Sequence, residues 1–259
     1  MLLVIPFSDK ATALYRHIFA LGGVASHDVL LVGPHQKVEE IEKALDILKG
    51  AFANADLFTG DHNYTSRNKL FHDTARYLDS VGCTDPWLWL DEQATPTRTG
   101  WLTEIAKEYF RNKTPFLGAT EKSVALNPAT KKYEEEPDRL AACSVYPVDF
   151  YAESILIRQL GYGPNETPWH VTLRFEMRRN GSASDLIQHQ PGTFGYRPQG
   201  EKLVFTEKAG VEAAPIRPET VLITGVPDGS VIDALNPKKR SKKDIYDEPE
   251  SVTALTEGA

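Results

Sequence analysis

Cysteine is scarce in this chain of 259 residues, which contains only Cys83 and Cys143. So few cysteines argue against the disulfide framework of a small secreted domain and suit a reducing compartment. No stretch reaches the roughly 20 apolar residues that a membrane-spanning helix needs. The first apolar run, residues 1–7, is too short for a secretory signal, and polar residues follow it at once. We therefore expect a cytoplasmic protein that does not contact a membrane.

Positive charge is also in short supply, because 29 Lys and Arg stand against 36 Asp and Glu, for a net charge of −7 at pH 7. This balance argues against a protein that coats nucleic acid in general. A local basic run, residues 238–243 (KKRSKK), could still contact phosphates. That run opens an otherwise acidic and weakly apolar segment, so residues 236–259 are predicted to form a disordered, charged tail.

Apolar and helical patterns alternate through the first half of the chain. Short continuous apolar runs at residues 2–7, 28–33 and 87–91 predict strands that are buried on both faces. Between and after them, apolar residues recur at helical spacing, which predicts helices over residues 11–21, 38–52, 67–78 and from 101 onward. This order predicts an α/β protein with a doubly wound, mostly parallel sheet and a Rossmann-like N-terminal half.

The second half has a different pattern. Apolar and polar residues alternate from Trp169 to Met177, which predicts a half-exposed strand ended by an Asn-Gly turn. Two more strands are predicted over residues 202–205 and 220–224. Gly and Pro are frequent over residues 191–218, so this half is expected to be rich in strands and long loops.

The segment WLWLDEQATP, residues 87–96, carries the most chemical information. A buried strand there delivers Asp91 and Glu92 to its own C-terminal end, where open α/β sheets bind ligands. Two acids at such a position commonly hold a divalent cation against a diphosphate. An acidic turn that only faces solvent is the alternative interpretation.

Taken together, these segments resemble the A-type fold of nucleotide-sugar glycosyltransferases, in particular small members that are common in bacteriophages. The resemblance rests on the order of four segments: LLVIPFSDKATAL at 2–14, NKLF at 68–71, WLWLDEQATPTRTGWL at 87–102 and TGVPDGSVI at 224–232. It implies a GT-A-like mixed sheet in which residues 1–125 are the nucleotide-sugar-binding half. Residues 126–235 would then be the acceptor-side half of the same domain.

The resemblance implies an enzyme that moves a sugar from a nucleotide-diphosphate donor to an acceptor. Its implied acceptors are a modified base in DNA, a protein or a glycan, and a phage-encoded enzyme would act in the host cytoplasm. The positions that match the donor-contacting residues of such enzymes are Pro6, Phe7, Ser8, Asn68, Asp91 and Gln93.

The acidic motif departs from the pattern of these enzymes. They usually carry acid-x-acid and a C-terminal histidine, and the matching positions here are Asp91, Gln93 and Thr224. Asp91 is thus the candidate ligand for Mn²⁺ or Mg²⁺, because Gln93 offers only a neutral oxygen. If the metal site is poor, a basic side chain must stabilise the negative charge that develops on the departing diphosphate. Lys69 and Arg98 are the preferred candidates for this role.

Three residues are candidates for the base that an inverting transferase needs. His170 stands where the resembled proteins often have an acid, His189 matches a histidine-containing segment, and Asp228 matches the acid of the C-terminal motif. Unperturbed histidines titrate near neutral pH and can accept a proton from a hydroxyl group. Structural histidines and a simple Asp-Gly turn are the alternatives, and the motifs do not choose between retention and inversion.

Loss of the metal-site positions leaves two further hypotheses open. The first is a catalytically silent relative that serves as a binding or assembly module and retains the fold. The second is a nucleotidyltransferase, which also uses a doubly wound sheet with acids. The chain lacks the Gly-rich basic loop that cradles a triphosphate, so this second hypothesis is the weaker one.

Overall fold

The structure is a computed structural model that describes residues 1–8, 11–22, 26–60, 66–126, 129–130, 133–161, 167–190, 194–199, 202–207 and 215–226. Asp228 and the predicted tail, residues 236–259, lie outside these ranges. No helix within the ranges combines the length and the apolar character that crossing a membrane requires.

Strands and helices alternate in the N-terminal half, as the apolar pattern predicts. In chain order the elements are β1 (Leu2–Pro6), α1 (Thr12–Leu21), β2 (Asp28–Pro34), α2 (Val38–Leu48), β3 (Ala55–Gly60), α3 (Arg67–Ser80), β4 (Trp87–Trp89), β5 (Thr95–Pro96) and α4 (Trp101–Asn112). Ser66 caps the start of α3, since its hydroxyl accepts a hydrogen bond from the backbone N–H of Lys69.

The C-terminal half is built from strands, short helices and long connections. Its elements are β6 (Phe116–Leu126), β7 (Tyr133–Tyr146), α5 (Phe150–Glu153), α6 (Trp169–Thr172), α7 (Arg174–Arg179), β8 (Gly181–Ala183), β9 (Ile187–His189), β10 (Phe194–Gln199), β11 (Lys202–Glu207) and β12 (Leu222–Thr224).

One seven-stranded sheet of order β3-β2-β1-β4-β7-β6-β8 joins the two halves. Strands β1 to β4 run parallel to one another, and β7 lies antiparallel to both β4 and β6. A smaller sheet of order β5-β12-β9 and a β10-β11 hairpin complete the strands of the described residues. The predicted fold class, a doubly wound mixed α/β sheet with a Rossmann-like N-terminal half, is confirmed.

Helices cover both faces of the large sheet and enclose two core layers. One layer packs α1, α2 and α4 against the sheet, and the other packs α3, α5, α6 and α7. Because neighbouring side chains of a strand point to opposite faces, Leu88 enters the first layer while Trp87 and Trp89 enter the second. The continuous apolar run of β4 follows from this double burial.

An aromatic cluster around Phe71 on α3 fills the second layer. The Phe71 ring stacks on Trp169 at a centroid distance of 4.7 Å and meets the edges of Trp89 and Tyr146 at 5.2 and 5.1 Å. Such contacts add to the hydrophobic stabilisation that the buried ring area provides. The cluster therefore fixes the start of α6 against α3.

The strand predicted from Trp169 to Met177 is wrong, because α6 and α7 occupy this segment. Trp169, Leu173 and Met177 are buried at a spacing of four residues, whereas Phe175 is 59% exposed. The helical spacing of the buried residues therefore decides the structure, and the alternation of apolar residues is incidental.

Several strands were not predicted, among them β3 and β7. β3 (Ala55–Gly60) lies where the sequence predicts no strand. As an edge strand, β3 is only partly buried and lacks the continuous apolar run of its neighbours. The first half of β7 reads YEEEPDR, an acidic and polar sequence that no apolar pattern marks as a strand.

Candidate functional site

The C-terminal ends of β1 and β4 lie side by side, because the two strands are parallel neighbours. Phe7 and Ser8 follow β1, and Asp91 follows β4 after a single residue. The capped N-terminus of α3 approaches the same edge, where Ser66 and Ser8 line one cavity. The edge is thus the place where ligands bind in open α/β sheets.

Two adjoining cavities open at this edge. The β1 cavity has a volume of about 330 Å³ and is lined by Pro6, Phe7, Ser8 and Lys37 among others. The β6 cavity has a volume of about 290 Å³, and its lining includes Glu121, His170, His189 and Thr224. Both are lined by Ser66, Arg67, Asp91 and Trp169, so these residues form a shared wall.

Asp91 is half-buried in the shared wall. Its Oδ1 accepts a hydrogen bond of 2.9 Å from the backbone N–H of Gln93. Burial raises the pKa of the Asp91 carboxyl above its ordinary value, and the hydrogen bond from Gln93 partly offsets this effect. Asp91 thus lies at the end of β4, in the lining of both cavities.

The three predicted metal-site positions, Asp91, Gln93 and Thr224, come together in the lining of the β6 cavity. Only one of them carries a charge, and the Thr224 hydroxyl lies 3.1 Å from Nδ1 of His189. Within the described ranges, no three His, Cys, Asp or Glu side chains converge on a point where they could hold a metal ion. This donor set does not fit a divalent ion held mainly by the protein, since such sites use several charged oxygens.

Asn68 is buried in the lining of the β6 cavity, and both the nitrogen and the oxygen of its side-chain amide form hydrogen bonds with the protein. Its Nδ2 donates to the carbonyl oxygens of Gly161 at 3.2 Å and Thr167 at 2.8 Å. Its Oδ1 accepts a 2.8 Å hydrogen bond from the backbone N–H of Trp169, the first residue of α6. Asn68 therefore ties α3 to the start of α6.

Lys69 and Arg98 do not line either cavity. Lys69 Nζ lies 2.7 Å from both carboxylate oxygens of the buried Asp73. Arg98 pairs with Glu104 at 2.7 Å and donates to two backbone carbonyls near β12. The structure thus does not place these two predicted cations beside Asp91.

Arg67, which the sequence interpretation missed, is the cation of the shared wall. It is the first residue of α3, and its Nη2 lies 2.8 Å from Oε1 of Glu92. The position of Arg67 directly after the N-cap Ser66 could have identified it, because the N-terminus of a helix commonly binds anions.

Glu121 is the second residue that sequence reasoning missed. It lies on β6 directly opposite Arg139 on β7, and Arg139 Nε donates to Oε1 of Glu121. Only 15% of the Glu121 side chain and 18% of the Arg139 side chain are exposed, so this ion pair is largely desolvated. An acidic residue in a polar stretch of strand gives no sign in the sequence that it faces a cavity.

The two candidate histidines flank this carboxylate. His170 Nε2 lies 3.6 Å from Oε1 of Glu121, and His189 Nε2 lies 3.8 Å from Oε2. Burial lowers the pKa of His170 to about 4; Glu121 opposes this shift and the Arg139 charge adds to it. His170 is therefore neutral at pH 7, and it lies on α6 rather than on the strand that was predicted.

No protein-family model matches this chain, and no curated protein matches it by sequence. Among solved structures, the chain is similar to the bifunctional glycosyltransferase WbbM with a TM-score of 0.50 and 10% identity; the match covers 74% of this chain and 40% of WbbM. The chain therefore spans less than half of the WbbM structure. At this identity the likeness establishes the fold alone, which is the mixed α/β fold of a glycosyltransferase structure.

Two further solved structures are more distant. A structure of residues 1–349 of S. aureus TarS matches with a TM-score of 0.43 and 10% identity over 67% of this chain and 53% of that one. A 4-diphosphocytidyl-2C-methyl-D-erythritol synthase from Anaerococcus prevotii matches with a TM-score of 0.46 and 11% identity over 71% of this chain and 84% of that one.

Proposed function

We propose that this protein is a glycosyltransferase that moves a sugar from a nucleotide-diphosphate donor to an acceptor hydroxyl. The observation that carries the proposal is the pair of adjoining cavities that share Asp91 and Arg67 at the C-terminal edge of the parallel strands. A transferase needs two adjoining sites of this kind, one for the donor and one for the acceptor, with the reacting bond between them.

The donor nucleoside would lie in the β1 cavity. Pro6, Phe7 and Ser8 offer apolar surface and backbone groups there, and Lys37 adds a positive charge 5.7 Å from the Phe7 ring. The diphosphate would lie against Arg67, whose guanidinium is suited to bidentate contacts with phosphate oxygens. The sugar would then reach past Asp91 and Gln93 into the β6 cavity.

The acceptor would enter the β6 cavity, where Glu121, His170 and His189 meet. The negative charge that develops on the departing diphosphate would be stabilised by Arg67, since the metal-site positions carry a single carboxylate. We therefore propose that transfer proceeds without a divalent metal. Asp228, the third candidate base, lies outside the described residues.

Donor binding is the first test of this proposal. Thermal shifts would be recorded with UDP-, GDP-, dTDP- and CDP-sugars, each with MnCl₂ and with EDTA. At 100 times the dissociation constant, ligand binding adds about 2.7 kcal/mol to the free energy of unfolding, so the melting temperature should rise by roughly 5 to 10 °C. We expect the rise to survive EDTA with one donor series. A rise seen only with manganese would contradict metal-free binding, and no rise with any donor would favour the binding or assembly module.

The role of Arg67 has a sharper test. Arg67→Gln should weaken the affinity for the nucleoside diphosphate at least about tenfold, the range of a charge-assisted hydrogen bond, and leave the affinity for the nucleoside unchanged. Arg111→Gln is the matched control, because Arg111 is exposed on the last turn of α4 and lines neither cavity. Calorimetric titration measures both affinities, and equal weakening of nucleoside and diphosphate binding would contradict the assignment.

A further inference from the structure

Glu121 is the best-positioned carboxylate on the acceptor side of the β6 cavity. Arg139 lies directly opposite Glu121 on the neighbouring strand β7, and its guanidinium donates a hydrogen bond to the Glu121 carboxylate. Desolvated pairs of this kind cost free energy to assemble and therefore fix side-chain geometry more than they add stability. Asp91, the other carboxylate of this cavity, lies in the wall shared with the β1 cavity and already accepts the N–H of Gln93.

The histidines are less well placed than Glu121 to take a proton from an acceptor. His170 Nδ1 is buried and has no hydrogen-bond partner among the described residues, and its Nε2 faces Glu121. His189 Nδ1 lies 3.1 Å from the Thr224 hydroxyl, and its Nε2 faces the other Glu121 oxygen. With a pKa lowered to about 4, His170 also loses the advantage that an imidazole normally has as a base near pH 7.

Building on the proposed glycosyltransferase function, we propose that Glu121 is the general base that removes the proton from the nucleophile in the β6 cavity. The oxygen of the acceptor, or of water, bonds to the anomeric carbon as its proton moves to a Glu121 carboxylate oxygen. The bond from the anomeric carbon to the diphosphate oxygen breaks at the same time. Its electron pair leaves with the nucleoside diphosphate, beside Arg67.

His170, His189 and Arg139 are positioning residues in this proposal. The two imidazoles border the carboxylate on either side, and the guanidinium fixes its orientation. Arg67 and Asp91 are the remaining charged groups in the lining of the cavity. A nucleophile that needs no deprotonation should therefore react without Glu121, and this gives the proposal its test.

The experiment compares water with azide as the nucleophile, using the nucleotide sugar that the binding screen selects. Water must lose a proton to form the sugar product, whereas the azide ion forms a glycosyl azide with no proton to lose. For Glu121→Gln, we expect release of nucleoside diphosphate with water to fall at least about 100-fold, the usual contribution of general-base catalysis. Release with azide should stay within about threefold of the wild type. Glu104→Gln, the same change at a half-exposed side chain of α4 that lines neither cavity, should alter neither rate.

Each alternative outcome has a definite meaning. Equal losses with water and azide would assign Glu121 a structural role, and unchanged rates would remove it from the reaction; both overturn the proposal. A wild-type protein that binds the donor but releases no diphosphate with either nucleophile overturns it as well. Absence of donor binding overturns the proposed function itself. If Glu121→Gln does not fold, Glu121→Asp keeps the charge opposite Arg139 and withdraws the base, so the same loss specific to water is expected.

Discussion

Replacing Asn68 with alanine removes three hydrogen bonds at one buried position. The lost partners are the carbonyl oxygens of Gly161 and Thr167 and the backbone N–H of Trp169. Each such bond contributes about 1 kcal/mol net, so the free energy of unfolding should fall by about 3 kcal/mol. For a protein of this size, that loss lowers the melting temperature by roughly 6 to 12 °C.

Urea unfolding followed by circular dichroism measures this change directly. Asn68→Asp keeps the acceptor for the Trp169 N–H but turns a carboxylate towards two carbonyl oxygens, so we expect a loss at least as large. Gln159→Ala is the control, since Gln159 is exposed and such substitutions usually change stability by less than about 0.5 kcal/mol. A loss below about 1 kcal/mol in Asn68→Ala would refute the claim that this amide ties α3 to α6.

Two further predictions concern the stability of the protein and the side chains of His170 and Lys69. Burial lowers the pKa of His170 to about 4 in the folded protein, whereas an unfolded histidine titrates near 6.5. Between these two pH values the unfolded chain binds a proton that the folded protein does not bind. The free energy of unfolding should therefore decline as the pH falls from about 6.5 to about 4. The melting temperature, measured between pH 6.5 and pH 4, should fall less in His170→Asn than in the wild type. Parallel curves of melting temperature against pH for the two proteins would contradict this prediction. Lys69→Met should lower the free energy of unfolding by about 1 to 3 kcal/mol, because the buried Asp73 carboxylate loses two charge-assisted contacts of 2.7 Å to the Lys69 ammonium group. Donor affinity measured by calorimetry should stay unchanged, and a tenfold loss would place Lys69 at the donor after all.

Three strands of the N-terminal half, β1, β2 and β4, were predictable from the sequence because they are buried on both faces. Double burial leaves continuous apolar runs in β1, β2 and β4, and their parallel order carries Ser8 and Asp91 to one edge. The short helices α6 and α7 were not predictable in the same way, since the alternation from Trp169 to Met177 fits a strand equally well.

The cluster of Glu121, Arg139, His170 and His189 could not be predicted from the sequence. Glu121 pairs with Arg139 in a short stretch between two register shifts of β6 and β7, and no local sequence pattern encodes these shifts. His170 and His189 were selected as separate candidates, yet one carboxylate brings them together. Residues that directly follow parallel strands can be predicted to lie at one edge of the sheet. The residues around Glu121 come together through the antiparallel pairing of β6 with β7, which the sequence pattern does not predict.

The aromatic cluster around Phe71 also gives the protein an intrinsic optical probe. Of the four tryptophans in the chain, Trp87, Trp89 and Trp169 belong to this core layer, and only Trp101 lies in the other. Trp89 lines the β1 cavity, and Trp169 lines both cavities. Indole emission responds to the polarity and packing around the ring, so the emission of Trp89 and Trp169 should change when a ligand fills these cavities. Ligand occupancy can therefore be followed by emission from the native chain, without a label.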